Sequence, residues 1–397
     1  MSPSNRPIVI CGAGPVGLLL GNLLGKAGLS VVILEQRLER PTTSMAIGIT
    51  PPSLKILEQL DLTETFLTRG LAVQDSSVFE RSRHVGDLSF ASLNTDYPFI
   101  LSLPQSETIE ILETHLQHYD NVTLRRGVRL DEVRQHASHV ELSVCDTTRN
   151  ARETLCAERL IGCDGAHSQV RQQAGIGVRQ RPYAQHFLMA DFVDQSDFGQ
   201  RACLYFTPQG SVESFPLPGD RRRWIVQLDG LPENQQDQPN LVEQLVKERC
   251  SQILSSESKQ FQSHFNVQRM LARHYFHKRV VLCGDAAHAM SPVGGQGMNT
   301  GFADATLLSQ TLVQILSKEL SSDALLRHYE RQRKRAYRVA ALRAACNMWV
   351  GTWRGAFWSK LRHLLLHVLL RKPQALCLAE HFAMLTIPRK LSVPLPV

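Results

Sequence analysis

The chain lacks the marks of several protein classes. None of its nine cysteines forms a Cys-x-x-Cys pair, and their number is odd. That pattern argues against a disulfide framework or a bound metal and for reduced thiols in a cytoplasmic protein. No stretch is continuously apolar over the ~20 residues that a membrane-spanning helix needs. The nearest approach, Phe357 to Leu370, is broken by Lys360, Arg362, His363 and His367. The apolar segment from Ile8 onward is punctuated by Gly12, Gly14, Gly17 and Gly21 and has no small-residue cleavage site. It reads as strand, turn and helix rather than as a signal peptide. Internal repeats and low-complexity tracts are absent. Acid is scarce towards the C-terminus, where Glu330 is the sole carboxylate between Ala324 and Lys372. The net charge is +7, but no nucleic-acid-binding module accompanies it, so nucleic acid is not an expected partner.

What is present is a chain of 397 residues with a globular balance of apolar and charged side chains, enough for two or three domains. Ile8-Val9-Ile10 predicts a short buried strand. Gly12-Ala13-Gly14-Pro15-Val16-Gly17 follows, and then a helix through Leu18, Leu19, Leu23 and Leu24. Ser30 to Leu34 predicts a second strand, closed by Glu35 and Gln36. A strand, a G-x-G-x-x-G turn, a helix and a strand ending in an acid form a dinucleotide-binding pattern. Gly12 permits the tight turn, Gly14 lets a pyrophosphate reach the backbone, and Gly17 lets the helix pack on the strand. The helix start offers free N–H groups to the phosphates, and Glu35 can accept from a ribose diol.

Further along, helices are expected from Pro52 to Leu60 and from Ser106 to His118, and a three-stranded meander from Asn121 to Cys145. Leu155 to Cys163 predicts one more strand, running into "CDGAHSQVR". Period-two runs from Gln185 to Gly230, broken by turns at Thr207–Ser211 and Pro218–Arg221, predict a separate antiparallel sheet. "KRVVLCGD" predicts a buried strand ending at Asp285, and the residues after Asp323, an N-cap, read as helical. Between them lies "GDAAHAMSPVGGQGMNTG", Gly284 to Gly301, which has one His, one Asp and no Cys, Lys or Glu. A helix opening at about Gly297–Thr300 would aim backbone N–H groups from this run at a negatively charged ligand. His288 is read as structural, bonded to nearby backbone.

These three motifs, in this order, resemble those of the para-hydroxybenzoate hydroxylase-like, FAD-dependent aromatic hydroxylases. The resemblance covers about Ile8 to Gln332. It implies an α/β fold: a Rossmann-like FAD-binding domain with a mixed sheet and a β-meander, an inserted antiparallel-sheet substrate domain, and a helical C-terminal segment. The expected boundaries are 1–75, 105–178 and 276–320 for the FAD domain, 76–104 and 179–275 for the substrate domain, and 321–397 for the C-terminal helices. It further implies that Gly12, Gly14, Pro15, Val16 and Gly17 hold the FAD pyrophosphate and that Glu35 and Gln36 lie at the ribose. Gln105, Asp164 and Gly165 would contact FAD, with Asp164 and Gly165 also associated with NAD(P)H. Asp285 would bind the ribityl chain, and Pro292, Gly295, Gly297, Met298 and Asn299 would face the isoalloxazine ring. One position departs from the family: Met45 opens Met45-Ala46-Ile47-Gly48 where relatives carry Arg, leaving Arg37 or Arg40 as replacements.

The reaction so implied is hydroxylation of an aromatic or polycyclic small molecule with O2 and NADPH or NADH, through a flavin C4a-hydroperoxide. No protein nucleophile is needed, because the cofactor carries the chemistry. The expected substrate pocket lies between the antiparallel sheet and the flavin, walled by Tyr205, Phe206, Phe215, Leu217, Gln227 and Pro292. Alternation allows only one of Tyr205 and Phe206 to line it. Tyr205 and His186 are the candidate bases for a phenolic substrate. Two other readings share the same cradle: a flavin-dependent reductase or dehydrogenase of a prenyl- or lipid-like substrate, and a flavin-binding partner protein without turnover. The C-terminal Trp and Leu residues pack on the catalytic domains or else meet a membrane surface or a second copy of the chain.

Overall fold

Short aliphatic runs alternating with helices place Ile8–Cys11 inside a six-stranded sheet. The computed structural model describes residues 6–41, 45–228, 230, 239–290, 295–317, 321–351 and 356–387. Across the sheet the order is Phe276–His277, Val280–Leu282, Arg159–Gly162, Ile8–Cys11, Val31–Glu35 and Val122–Arg126. Neighbours run parallel except at the edge formed by Phe276–His277. Ile8–Cys11 and Val280–Leu282 are buried at every position, as strands covered on both faces must be. Helix Pro15–Lys26 makes the crossover to Val31–Glu35 and packs on helix Gln296–Leu316.

The expected meander is displaced along the chain. Val122–Arg126 is the edge of the parallel sheet, and the antiparallel meander is Val128–Gln135, Val140–Asp146 and Ala151–Ala157. Gly127, at φ +69°, turns the chain from one sheet into the other. The strand expected over Leu155–Cys163 is divided in the same way: Leu155 belongs to the meander and Arg159–Gly162 to the parallel sheet. The strand before the glycine run stops at Leu282, and Asp285 lies in a 3-10 turn, Gly284–Ala286.

The second layer is an eight-stranded sheet, and it is mixed rather than antiparallel. Its order is His288–Ala289, Lys259–Ala272, Val178–Val193, Arg221–Leu228, Gly210–Leu217, Ala202–Thr207, Asp75–Glu80 and Arg83–Ser89. Ala202–Thr207 runs parallel to Asp75–Glu80, a pairing between distant parts of the chain. Tyr205, Trp224 and Val226 pack its back face against Val242 and Val246 of helix Leu241–Cys250.

Three helices follow: Ser322–Gly351, Ala356–Leu369 and Gln374–Phe382. The first starts at Ser322, so Asp323 lies in its first turn, paired with Arg327, rather than at the cap. The second is fastened to the eight-stranded sheet. Its buried Arg362 donates to the Thr207 carbonyl at 3.2 Å and stacks over Phe206, while His363 Nδ1 meets Glu80 Oε2 at 2.6 Å. Its outer side leaves Phe357, Trp358 and Leu364 exposed. Among the described residues no helix is long and apolar enough to cross a membrane.

A buried ionic cluster joins these parts. Asp304, within Gln296–Leu316, accepts from the Gly284 amide at 3.2 Å, from His288 Nε2 at 2.5 Å and from Arg333 of the long helix. Arg333 also donates to the Thr300 carbonyl. Tyr275 and Tyr337 lie against the His288 ring at 5.9 and 5.1 Å. Burial alone would raise the Asp304 carboxyl, but the charges and hydrogen bonds of His288 and Arg333 outweigh it and hold it below the ordinary carboxylate range. The resulting stability is present above the unfolded carboxyl value of ~3.9 and is lost as pH falls through the lowered folded value. Asp304→Asn strands the Arg333 charge and is expected to cost about 3–5 kcal/mol in a urea titration at neutral pH. A loss below about 1 kcal/mol would show that the cluster does not hold the layers together.

Candidate functional site

The carboxyl ends of the parallel strands open onto a cavity of about 1140 Å³. Part of its wall is polar and glycine-rich, with Gly12, Gly14, Glu35, Asp164 and Asp285 from the turns of the parallel layer. The rest is apolar, with Leu204, Phe206, Phe215 and Ile225 from the eight-stranded sheet and Leu370 and Phe382 from the C-terminal helices.

The first turn is shaped by close approach. Gly12 has φ +105°, and a Cβ there would lie 2.4 Å from the Cys163 carbonyl oxygen. At Gly17 a Cβ would lie 2.0 Å from the Gly12 carbonyl, so the helix rests directly on the turn. Gly14, the N-cap of Pro15–Lys26, differs: a Cβ there meets nothing within 4 Å. That helix has no side-chain cap and no acid in its first turn, so its leading N–H groups are left for an anion. Pro15 and Val16 line the cavity beside it, as does Gln36. Glu35 is held at the end of its strand by the Ala13 and Arg37 amides, which donate to its two oxygens at 3.0 Å each.

The other expected cofactor positions converge on the same cavity with few exceptions. Gln105 lines it and accepts from the Ala46 amide at 3.2 Å. Asp164 accepts from the Val170 amide at 3.0 Å through one oxygen, while the other is buried with no partner among the described residues. Burial raises the Asp164 carboxyl, with Ser168 and nearby amides opposing. Asp285 is exposed and lines the cavity; the surrounding protein raises its carboxyl by desolvation, His288 opposes and Asp304 adds to the rise. Gly165, Gly295 and Gly297 line the cavity, and a Cβ at each meets nothing within 4 Å. Met298 lines it too.

Asn299 does not line the cavity. Its oxygen accepts from the Thr50 amide and hydroxyl, and its amide donates to the Gly48 and Gly295 carbonyls, so its side chain braces the turn from behind. Pro292 lies outside the described residues. His288 is fully buried and bonded to the Asp304 side chain, not to backbone. Arg171, adjoining the Asp-Gly motif, donates to the Ala286 and Ala166 carbonyls. Of the two replacements for the missing Arg, Arg37 lines the cavity, whereas Arg40 pairs with Glu113 at 3.3 Å. A third cation reaches that segment: Arg223, clamped by Asp191 at 2.6 and 2.8 Å, donates to the Met45 carbonyl at 3.0 Å.

The expected substrate wall is only partly there. Phe206 and Phe215 face the cavity. Tyr205 borders it, but its ring is 1% exposed, stacked on Phe79 at 4.7 Å within the back-face cluster. Burial pushes its hydroxyl upward, so it is a poor base. Leu217 and Gln227 are buried and absent from the lining; Gln227 accepts from the Ser211 amide at 3.1 Å. His186 stacks on His264 at 5.7 Å and is likewise absent, because alternation gives the cavity to its neighbour Phe187. Two features escaped the sequence reading: the wall contributed by the C-terminal helices, and Glu213. The latter was within reach, since it lies two residues before Phe215 on the same face of its strand.

The chain belongs to the FAD binding domain family, whose model matches residues 5–344. Within it, the chain is 30% identical over 336 residues to the para-nitrophenol 4-monooxygenase of Pseudomonas sp. (strain WBC-3), covering 80% of each. It is 31% identical to an uncharacterized aromatic compound monooxygenase of Bacillus subtilis (strain 168), over 77% of this chain and 60% of that protein. It spans 62% of the length of a rifampicin monooxygenase of Streptomyces venezuelae, so it aligns with less than two thirds of both these relatives. The fold matches that of p-nitrophenol 4-monooxygenase from Pseudomonas putida with a TM-score of 0.89 at 22% identity, covering 97% and 99% of the two chains. The OxyS anhydrotetracycline hydroxylase from Streptomyces rimosus matches at 0.80 and 26% identity, over 96% of this chain and 76% of that one.

FAD is the cofactor that the family binds, and this cavity fits it: open space stands over Gly14, Gly165, Gly295 and Gly297, beside the orphaned Asp164 oxygen. The two kinds of glycine separate by experiment. Gly14→Ala should leave the urea midpoint unchanged and weaken FAD binding at least about tenfold, ~1.4 kcal/mol, because its methyl fills only ligand space. Gly12→Ala should lower stability as well, by roughly 1–2 kcal/mol or more from its positive φ alone. Equal loss of stability in both variants would mean that Gly14 also serves the fold.

Proposed function

We propose that this protein is an FAD-dependent monooxygenase that hydroxylates an aromatic or polycyclic compound with O2 and NADPH or NADH. The observation that carries the reading is the single cavity in which a flavin cradle and an aromatic, aliphatic wall meet. At about 1140 Å³ it exceeds the ~300–1,000 Å³ of an ordinary ligand pocket, leaving room for a cofactor and a second flat molecule. The related nitrophenol and aromatic-compound monooxygenases support the substrate class.

Bound FAD supplies the electron transfer and oxygen activation. The chain's own residues then have defined tasks. Gly12, Gly14 and the N–H groups of the helix start at Pro15 hold the pyrophosphate, and Glu35 takes the ribose hydroxyls. Asp285 holds the ribityl chain, with Gln105 and Asp164 as further polar contacts. Amides at Gly297 and Met298, opening a long helix, answer the negative charge of the reduced ring. The apolar wall orients the substrate and keeps water from the reacting atoms. The parallel sheet thus serves the cofactor and the eight-stranded sheet the substrate, and we place the division at 1–75, 105–178 and 276–320 against 76–104 and 179–275, with the short strand His288–Ala289 crossing it. All nine cysteines are free thiols, which fits the reducing cytoplasm in which we place the protein.

Purified protein should show a flavin spectrum, and a panel of phenols and polycyclic compounds should stimulate NAD(P)H-dependent O2 uptake with a product heavier by one oxygen atom. Nucleotide oxidation without oxygen incorporation would replace this reading by the reductase. Asp285→Ala should release most of the FAD on gel filtration while the protein remains folded.

A further inference from the structure

Strand Gly210–Leu217 presents Ser211, Glu213 and Phe215 to the cavity. Cross-strand register places Glu213 opposite Leu204 on one side and Ile225 on the other, with Val78 beyond Leu204 and Met189 beyond Ile225. All four neighbours line the same cavity. A carboxylate therefore stands in the middle of an aliphatic row that crosses the sheet.

The rest of this sheet treats buried acids differently. Asp191 is clamped by Arg223 and Asp194 by Arg222 at 2.7 Å, and both guanidiniums are thereby committed. Glu213 has no hydrogen-bond or ion-pair partner among the described residues. Burial alone pushes its carboxyl up to about 7, and no charged group stands close enough to oppose the rise. A lone carboxylate in an apolar wall is costly, and the cost is relieved only when a ligand supplies the missing donor.

We propose that Glu213 is the substrate-recognition residue of this cavity, accepting the hydroxyl of a neutral phenol-type substrate and taking up its proton. The inference rests on the monooxygenase reading for its role in turnover, but not for the binding itself. In the step, the phenolic O–H bond breaks, an O–H bond forms on Glu213, and the electron pair stays on the phenolic oxygen. The ring becomes richer in electrons, as oxygen transfer to carbon requires, and Glu213 returns its proton to solvent before the next substrate binds. The same carboxylate rejects ring acids, because two carboxylates cannot both stay ionised against one apolar wall. Glu213 thereby takes the place expected for Tyr205 or His186, whose side chains are turned to the back face or lie outside the lining.

The test uses the FAD-loaded protein without NAD(P)H, so that no turnover occurs. 4-Nitrophenol, 4-nitroanisole and 4-nitrobenzoate serve as ligands of one shape with a hydroxyl, a methyl ether or a carboxylate. Equilibrium dialysis of the wild type should show nitrophenol binding at least about tenfold tighter than nitroanisole, with nitrobenzoate weakest. The bound nitrophenol should display its visible phenolate band. Glu213→Gln should lose the band and the preference for the hydroxyl, and should bind nitrobenzoate better than the wild type does. It should also be at least as stable in urea, because an unpaired carboxylate set in an apolar wall has been removed. A variant that keeps the phenolate band and the tenfold preference, or that is clearly less stable, overturns the proposal. If the wild type binds nitrophenol in this way but incorporates no oxygen into any phenol, the monooxygenase reading falls and the role of Glu213 in recognition stands.

Discussion

Everything around the cavity hangs on the carboxylate of Asp304. It sits on the helix that begins in the glycine run and gathers the Gly284 amide, the His288 ring and the Arg333 guanidinium. Gly284 follows the last strand of the parallel sheet, His288 pairs at the edge of the eight-stranded sheet, and Arg333 belongs to the long C-terminal helix. One buried anion thus fixes four elements relative to one another. A charge so placed tolerates little displacement, since each partner it lost would leave an uncompensated charge or donor in a dry interior. The described parts of the glycine run, 284–290 and 295–301, can therefore be poor in side chains and still be held in place.

That rigidity frees the cavity wall for chemistry. The polar side is built from backbone and from carboxylates tied by amides, such as Glu35 between Ala13 and Arg37. Glycine does two jobs there. At Gly12 and Gly17 it allows chain segments to touch, and at Gly14, Gly165, Gly295 and Gly297 it leaves space that no atom of the described residues fills. The opposite wall is aliphatic and aromatic, and the guanidiniums beside it are committed to Asp191, Asp194 and the Thr207 carbonyl. Among the described residues of that wall, Glu213 is the charge without a protein partner, which is why it can be offered to a ligand.

The dinucleotide turn, the strand that ends at Glu35, the Asp-Gly motif and a helix opening at about Gly297–Thr300, which in the structure starts at Gln296, can all be read in the chain. Each depends on backbone geometry over a few residues: a positive φ, a close approach, a helix start. Among the described residues, the positions chosen by those motifs converge on the cavity, apart from Asn299, whose side chain is spent on Thr50, Gly48 and Gly295. His288 reads as structural, but its partner lies sixteen residues away on a helix and no local pattern announces it.

What the chain could not announce is pairing over distance. Val122–Arg126 has the alternation of a meander strand, yet it pairs in parallel with Val31–Glu35. Asp75–Glu80 and Arg83–Ser89 complete a sheet whose other strands begin only at Val178, and the C-terminal segment closes the cavity through Leu366, Leu370 and Phe382. Strand alternation says that Tyr205 and Phe206, or Glu213 and Ser214, face opposite sides, but not which side is the cavity. That choice is made when helix Leu241–Cys250 covers one face of the sheet and leaves the other to the ligand. The sequence by itself determined the cofactor turns and the period of each element, because these are properties of short stretches of backbone. Tertiary structure alone decided which faces meet, because burial is shared between segments that are far apart in the chain.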